Sequence, residues 1–176
     1  MKNPVRKKEV GQALVEFALV LPIILLIFTG IIDFGRMMFL YSQLSNAVRE
    51  GARYGSVTGP NPNSPQFVNC TGIRNAVKGT LAIPIPDADL QVTITYDNGK
   101  TAVTTASGVA VTCPTSGTAP NQGLITLGDR VLVKGSTKFA FITPLVSSFG
   151  PINLTLTSAR TILRGGTLIT LRDVGN

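Results

Sequence analysis

The sequence predicts an α+β protein: one long N-terminal helix followed by a small antiparallel β-rich domain. Three observations predict it. Residues 13–32 read ALVEFALVLPIILLIFTGII, with Glu16 as the single charge. An apolar repeat at three- and four-residue steps then carries the helix on to about residue 56. Beyond residue 90, apolar and polar residues alternate in short segments parted by turn residues. The chain has 176 residues, 44% hydrophobic and 14% charged, which suits one small domain plus an extra element. It contains no His. That removes Ser-His-Asp and Cys-His pairs, His-ligated zinc and the usual general base near neutral pH.

The first element is a basic leader, residues 1–11. Lys2, Arg6, Lys7 and Lys8 crowd together there, opposed only by Glu9. The whole chain carries +7; beyond residue 11 twelve basic and eight acidic side chains leave +4, scattered and without a basic stripe. Nucleic acid is therefore not an expected partner.

The second element is the helix, residues 12–56. Its segment 13–32 is long enough to cross a bilayer, at ~30 Å for 20 helical residues. A buried core helix is the alternative, and too little chain remains to surround one. Pro22 does not veto a membrane helix, in which packing re-satisfies the freed backbone. Basic residues before the span place the N-terminus in the cytoplasm. Residues 57–176 then form an extracytoplasmic domain, periplasmic or at the cell surface, on a single-pass membrane protein. Past Ile32, the spacing of Phe34, Met37, Tyr41, Leu44 and Val48 predicts one apolar stripe. Gly51 and Gly55 weaken the helix end, and Thr58-Gly59-Pro60 stops it.

Glu16 is the informative residue. A carboxylate inside the hydrocarbon costs about 2.5–3.5 kcal/mol on insertion scales, so something compensates. A cut after Gly11 makes Gln12 the first residue and Glu16 the fifth. The new α-amino group, positive near neutral pH, is then available to Glu16 of an adjacent copy. The alternative is a side chain that snorkels to the interface.

A basic leader ending in Gly, four residues, Glu, an aromatic (Phe17) and a long apolar helix resembles the processing site of type IV pilins and pseudopilins. More narrowly, GQALVEFALVLPIILLIFTGIIDFGR…LSNAVREGARYG, from Gly11 to Gly55, resembles the TadE-like family, minor pseudopilins of tight-adherence pilus systems. The resemblance implies a pilin-like fold and cleavage between Gly11 and Gln12 by a prepilin peptidase. It also implies that Glu16, followed by Phe17, serves processing or assembly. The implied partners are the membrane, the peptidase, other pilins or pseudopilins and the pilus assembly machinery. One departure is Gln12, where ordinary type IV pilins carry the Phe that they N-methylate.

The outer domain is read element by element. Residues 57–69 form a loop rich in Pro, Asn and Ser. A short helix spans about 72–81, with Ile73, Val77 and Leu81 on one face. A strand covers 90–96, and Asp97-Asn98-Gly99 turns it into a hairpin whose return arm is 101–113. Residues 113–123 are loop. A strand over 130–141 has a bulge at Gly135, and a last strand covers 153–163. Phe141-Ile142-Thr143-Pro144-Leu145 resembles the aromatic-x-x-Pro-Leu ending of the penultimate strand in TadE-like proteins. Asp87, Asp89, Asp97, Asp129 and Asp173 read as turn residues. Asp87 and Asp89 lack the oxygen cage of a calcium site. Gly165-Gly166 is a lone turn pair rather than a phosphate loop.

Cys70 and Cys113 are the only cysteines. Outside the cytoplasm they read as a disulfide, with two free thiols as the alternative. Two Cys without His are too few ligands for zinc. No catalytic, cofactor-binding or metal residue is assigned, and no small-molecule substrate is expected. Two functions from different classes remain open beside an enzyme, which no nucleophile–base pair supports. One is pilus assembly through helix packing in the membrane. The other is a membrane-tethered domain that binds an envelope or surface ligand.

Overall fold

The computed structural model describes residues 7–61, 65–114, 119–148 and 150–163. The predicted turn residues Gly165, Gly166 and Asp173, and the leader residues Lys2 and Arg6, lie outside this set. The elements are α1 (Lys7–Tyr54), α2 (Cys70–Gly79), β1 (Gln91–Asp97), β2 (Arg130–Phe139), α3 (Pro144–Ser147) and β3 (Ile152–Thr161). The predicted α+β class holds: a long apolar N-terminal helix precedes a small antiparallel sheet of order β1-β2-β3.

The chain divides into two compact units, residues 1–40 with 139–152, and residues 41–138 with 153–176. The first unit contains the apolar half of α1. Its helix runs through Pro22 without a break. The hydroxyl of Thr29 donates to the carbonyls of Leu25 and Leu26, both at 3.0 Å, so this polar group is satisfied within its own helix. The most apolar 18-residue window has a mean hydropathy of 2.6 and is 0% buried in the protein. A core helix would be covered, so the buried-helix alternative falls. One helix of this length and composition is a candidate membrane span.

In the second unit the end of α1 is part of the core. Leu44, Ala47, Val48 and Ala52 pack with Ile73 and Val77 of α2, Ile94 and Tyr96 of β1, and Val131 and Val133 of β2. The alternation of β1 and β2 puts these residues on one sheet face, as a two-residue period requires. Leu154, Leu156 and Ser158 of β3 alternate in the same way, half-buried. Phe67 and Val68, in a short turn of helix before α2, close one side of this core. Asn69 caps α2, its side chain accepting from the amide of Gly72 at 2.8 Å.

Four expectations are corrected or narrowed. The apolar stripe is covered at Leu44 and Val48 and exposed at Phe34 and Tyr41. The covered face instead runs through Asp33, Gln43, Leu44, Ala47, Val48, Gly51 and Ala52. Residues 101–113 are not a strand. Their ladder contacts are single bridges, Asp97 to Ala102 and Thr95 to Thr112 toward β1 and Thr104 to Ala110 within the arm, rather than a continuous register. The Thr, Ser and Gly of this arm favour local turns, such as Gly108 N–H donating to Thr105 carbonyl at 2.9 Å. The Asp97-Asn98-Gly99 turn itself is present, with Gly99 at φ +91° and its amide 3.0 Å from Asp97 Oδ1.

The third correction is Gly135. Its register with β1 is continuous, Val92 opposite Gly135 and Thr93 opposite Lys134, so there is no bulge. A Cβ there would stand 2.7 Å from Val48 and 3.0 Å from Leu44, so the missing side chain admits α1 directly onto the strand. The fourth concerns Gly51, read as a weak point of the helix. Its absent Cβ makes room for the Val77 side chain, so it is a close-packing position. Replacing Gly135 with Val is expected to overpack this contact and cost about 1–3 kcal/mol. Thermal unfolding of the full chain in detergent measures the loss.

Candidate functional site

Two places on α1 carry chemistry. The first is the N-terminal stretch with Gly11, Gln12, Glu16 and Phe17. All four are exposed and helical. No atom lies within 4 Å of a Cβ built on Gly11. The Gly11–Gln12 bond lies inside α1, which begins at Lys7. A peptidase reads extended backbone, so cutting here requires local unwinding. Glycine eases that step, being about 1 kcal/mol less favourable in a helix than alanine. Glu16 accepts a hydrogen bond from the Gln12 side-chain amide at 3.1 Å, one helical turn away. The carboxylate is thus partly satisfied within its own chain before any cut. Phe17 is 59% exposed, free to meet lipid or another helix.

The second place was not singled out in the sequence. Asp33, directly after the apolar run, is 3% exposed. Its carboxylate accepts from the amide of Ile142 at 3.0 and 3.1 Å. It also accepts from the amide of Thr143 at 2.8 Å and the Thr143 hydroxyl at 2.6 Å. Arg36, one turn along, pairs with Asp33 Oδ1 at 3.0 Å. The Arg36 guanidinium lies 5.3 Å from the centre of the Phe139 ring. That ring meets Phe141 edge-on at 5.2 Å.

The chain turns here because Thr143 precedes Pro144. Proline pushes the preceding residue to extended backbone, and Thr143 sits at φ −59° and ψ 118°. That geometry aims two successive amides the same way, and Asp33 supplies the acceptor. The Thr143 hydroxyl, then its amide, hold the Asp33 carboxyl well below the usual range, at about 2, against the opposing effect of burial. What the arrangement does is structural. A charge at the end of the apolar run is consumed in fastening residues 142–143 to the helix. The Phe141–Leu145 motif therefore has a job that its sequence resemblance did not state. A signal was present: an acid closing an apolar run, with Arg at i+3.

Cys70 and Cys113 are bonded to each other, with Cα atoms 5.6 Å apart. Two supports around them have no signature in the local sequence. Arg74 donates to the carbonyls of Cys113 and Pro114 at 3.0 and 2.7 Å. The Tyr96 hydroxyl donates to the Phe67 carbonyl at 2.5 Å, and burial pushes its pKa up. The predicted turn acids sit where turns need them. Asp129 accepts from the amide and hydroxyl of Thr126 at 2.7 and 2.9 Å. Asp87 pairs with Lys78 at 2.7 Å. Asp97 takes two bonds from Arg130, at 2.7 and 2.9 Å, which lower its pKa. Among the described residues, no group of three or more His, Cys, Asp or Glu is placed to hold a metal ion.

An exposed apolar helix with one carboxylate, Glu16, inside its apolar run, and an end built into a small β unit, defines an α+β protein with an N-terminal candidate membrane span. Residues 11–53 match the family model described as TadE-like protein, which agrees with the resemblance read from Gly11 to Gly55 and points to a Tad pilus-associated protein. No curated protein and no solved structure matches the chain.

Proposed function

We propose that the protein is a minor pseudopilin of a tight-adherence pilus, working by helix packing in the membrane rather than by catalysis. The N-terminus is cytoplasmic, residues 13–32 cross the bilayer, and the β unit lies outside. A prepilin peptidase cuts after Gly11. Gln12 then carries the new α-amino group, at the position whose side chain already reaches Glu16 at 3.1 Å. Glu16, exposed on α1, takes its counter-charge from the amine of a neighbouring pilin or pseudopilin. The observation that carries this reading is the family match. It starts at Gly11 and contains Glu16 five residues on.

The test combines mass and assembly. In cells with an active prepilin peptidase, the membrane-extracted protein is expected to have lost residues 1–11. Glu16→Gln, which keeps the shape and removes the charge, is expected to insert normally and to abolish surface pili. An intact leader in such cells, or normal pili with Glu16→Leu, overturns the proposal. A membrane-tethered binding domain would instead keep full function in both cleavage-site and Glu16 variants.

A further inference from the structure

Residues 139–159 contain no charged side chain. The middle of this stretch leaves the sheet and is fastened to α1 through the amides of Ile142 and Thr143 on Asp33. Asp33 is the first residue beyond the apolar run, so the segment is pinned within one helical turn of the end of that run. Among its described side chains Ile142 is 63% exposed and Ile152 is 37% exposed, with the uncharged Ser147 and Ser148 also exposed. On α1 beside Asp33, Ile31, Ile32 and Phe34 are also exposed, at 57–62%. All of these uncovered apolar side chains belong to the first unit.

We propose that residues 139–152 are a second membrane contact, lying in the boundary between lipid headgroups and acyl chains. This rests on the reading of residues 13–32 as a bilayer span. Lipid is the occupant that the surroundings favour. The segment is held at Asp33, directly beside the end of the apolar run whose exposed side chains meet lipid. Polar atoms at the point of attachment are already paired: both amides and the Thr143 hydroxyl are bonded to Asp33, and Asp33 is paired with Arg36. Arg36 keeps 45% of its side chain exposed, a cation at headgroup depth. The consequence is geometric. A single span lets a protein swivel about the membrane normal and tilt; a second contact restricts the tilt.

The protein has no Trp, so one introduced indole reports one position. The full chain carrying Ile142→Trp is reconstituted in mixed phosphatidylcholine and phosphatidylglycerol vesicles. Half of the preparations contain lipid brominated on the acyl chain near the headgroup. Phe28→Trp, inside the span, is measured in parallel with lipid brominated deeper in the chain, and Ile152→Trp serves as a second probe of the segment. The expected result is a blue-shifted Ile142→Trp or Ile152→Trp emission that loses most of its intensity in shallow-brominated vesicles. Emission like that of a water-exposed indole at both positions, with Phe28→Trp quenched, overturns this inference and leaves the span intact. A blue shift without quenching at both also overturns it, because protein then covers the face. If Phe28→Trp is not quenched either, the span reading fails and takes this inference with it.

Discussion

Breaking the Cys70–Cys113 bond is expected to lower the stability of the β unit by about 4 kcal/mol, the chain-entropy value for a loop of this size. The two cysteines are 43 positions apart. The intervening chain includes α2, β1 and the loosely bridged arm 101–113. Few regular hydrogen bonds hold that arm. One is the Cys113 amide on the Ile94 carbonyl at 3.0 Å. Without the covalent tie, the unfolded chain regains most of its freedom while the native state gains nothing. The melting temperature of Cys70→Ser/Cys113→Ser, read by circular dichroism on the full chain in detergent, is expected to fall by on the order of 10–20 °C. A loss under about 1 kcal/mol would mean that Arg74 and Tyr96 already hold the arm, and the entropic account would fail.

Replacing Asp33 with Ala is expected to release residues 140–148 from α1. The substitution strips the acceptor from two amides and a hydroxyl at a site that is 3% exposed. Buried donors without acceptors are costly, so the segment leaves to find water. Hydrogen exchange should show lost protection at Ile142 and Thr143, and protease should cut between them and Ser148. Arg36→Ala removes a half-exposed ion pair and the guanidinium contact with the Phe139 ring, and should leave both measurements near normal. If Arg36→Ala matches Asp33→Ala, the ion pair rather than the amide clasp holds the segment. The same contact sets a pH dependence. The Asp33 carboxyl is held at about 2 in the folded protein, below the ordinary value of about 4. Its contribution is therefore complete above about pH 4 and lost as pH falls through about 2. Protection at Ile142 and Thr143 should follow that window, and Asp33→Ala should abolish the dependence.

The parts of the fold legible in the sequence were those that depend on one environment. The apolar run is unambiguous because lipid asks for the same thing on every face. The short helix was expected at 72–81 and lies at Cys70–Gly79. The strand expected at 90–96 lies at Gln91–Asp97, since alternation is a strong signal when one face meets a core. The failures come where environment changes along an element. Helix α1 passes from exposed to core-packed within a few turns, and apolar spacing does not say which neighbour an apolar residue will meet. The spacing puts Phe34 and Tyr41 on one stripe with Leu44 and Val48, yet they are exposed, while the polar Asp33 and Gln43 are buried. Gln43 earns its place by accepting from the Ile83 amide at 3.2 Å. A glycine in a strand reads as a bulge, and only the partner helix shows that Gly135 is a contact. The boundary at residue 56 also obscured how much of α1 the β unit needs. A fragment starting at Val57 would lack Leu44, Val48 and Ala52, all buried.

At the candidate site the balance differs. Gly11, Glu16 and their spacing are linear features, so they were visible at once. The Asp33 clasp joins residues more than a hundred positions apart, and no local pattern announces such a meeting. Half of it is legible, because Phe141 to Leu145 stands out as a motif whose partner the sequence does not name.

The disulfide has one more consequence, which is mechanical. The proposed role roots the protein in an envelope, where shear of the cell puts it under tension. Load arriving along α1 meets a chain whose 43-position stretch from Cys70 to Cys113 is short-circuited by one covalent bond. About 150 Å of contour length is thereby withheld from stretching. Pulled on its two ends, the oxidised protein should lengthen by that much less than the reduced one before the chain is taut.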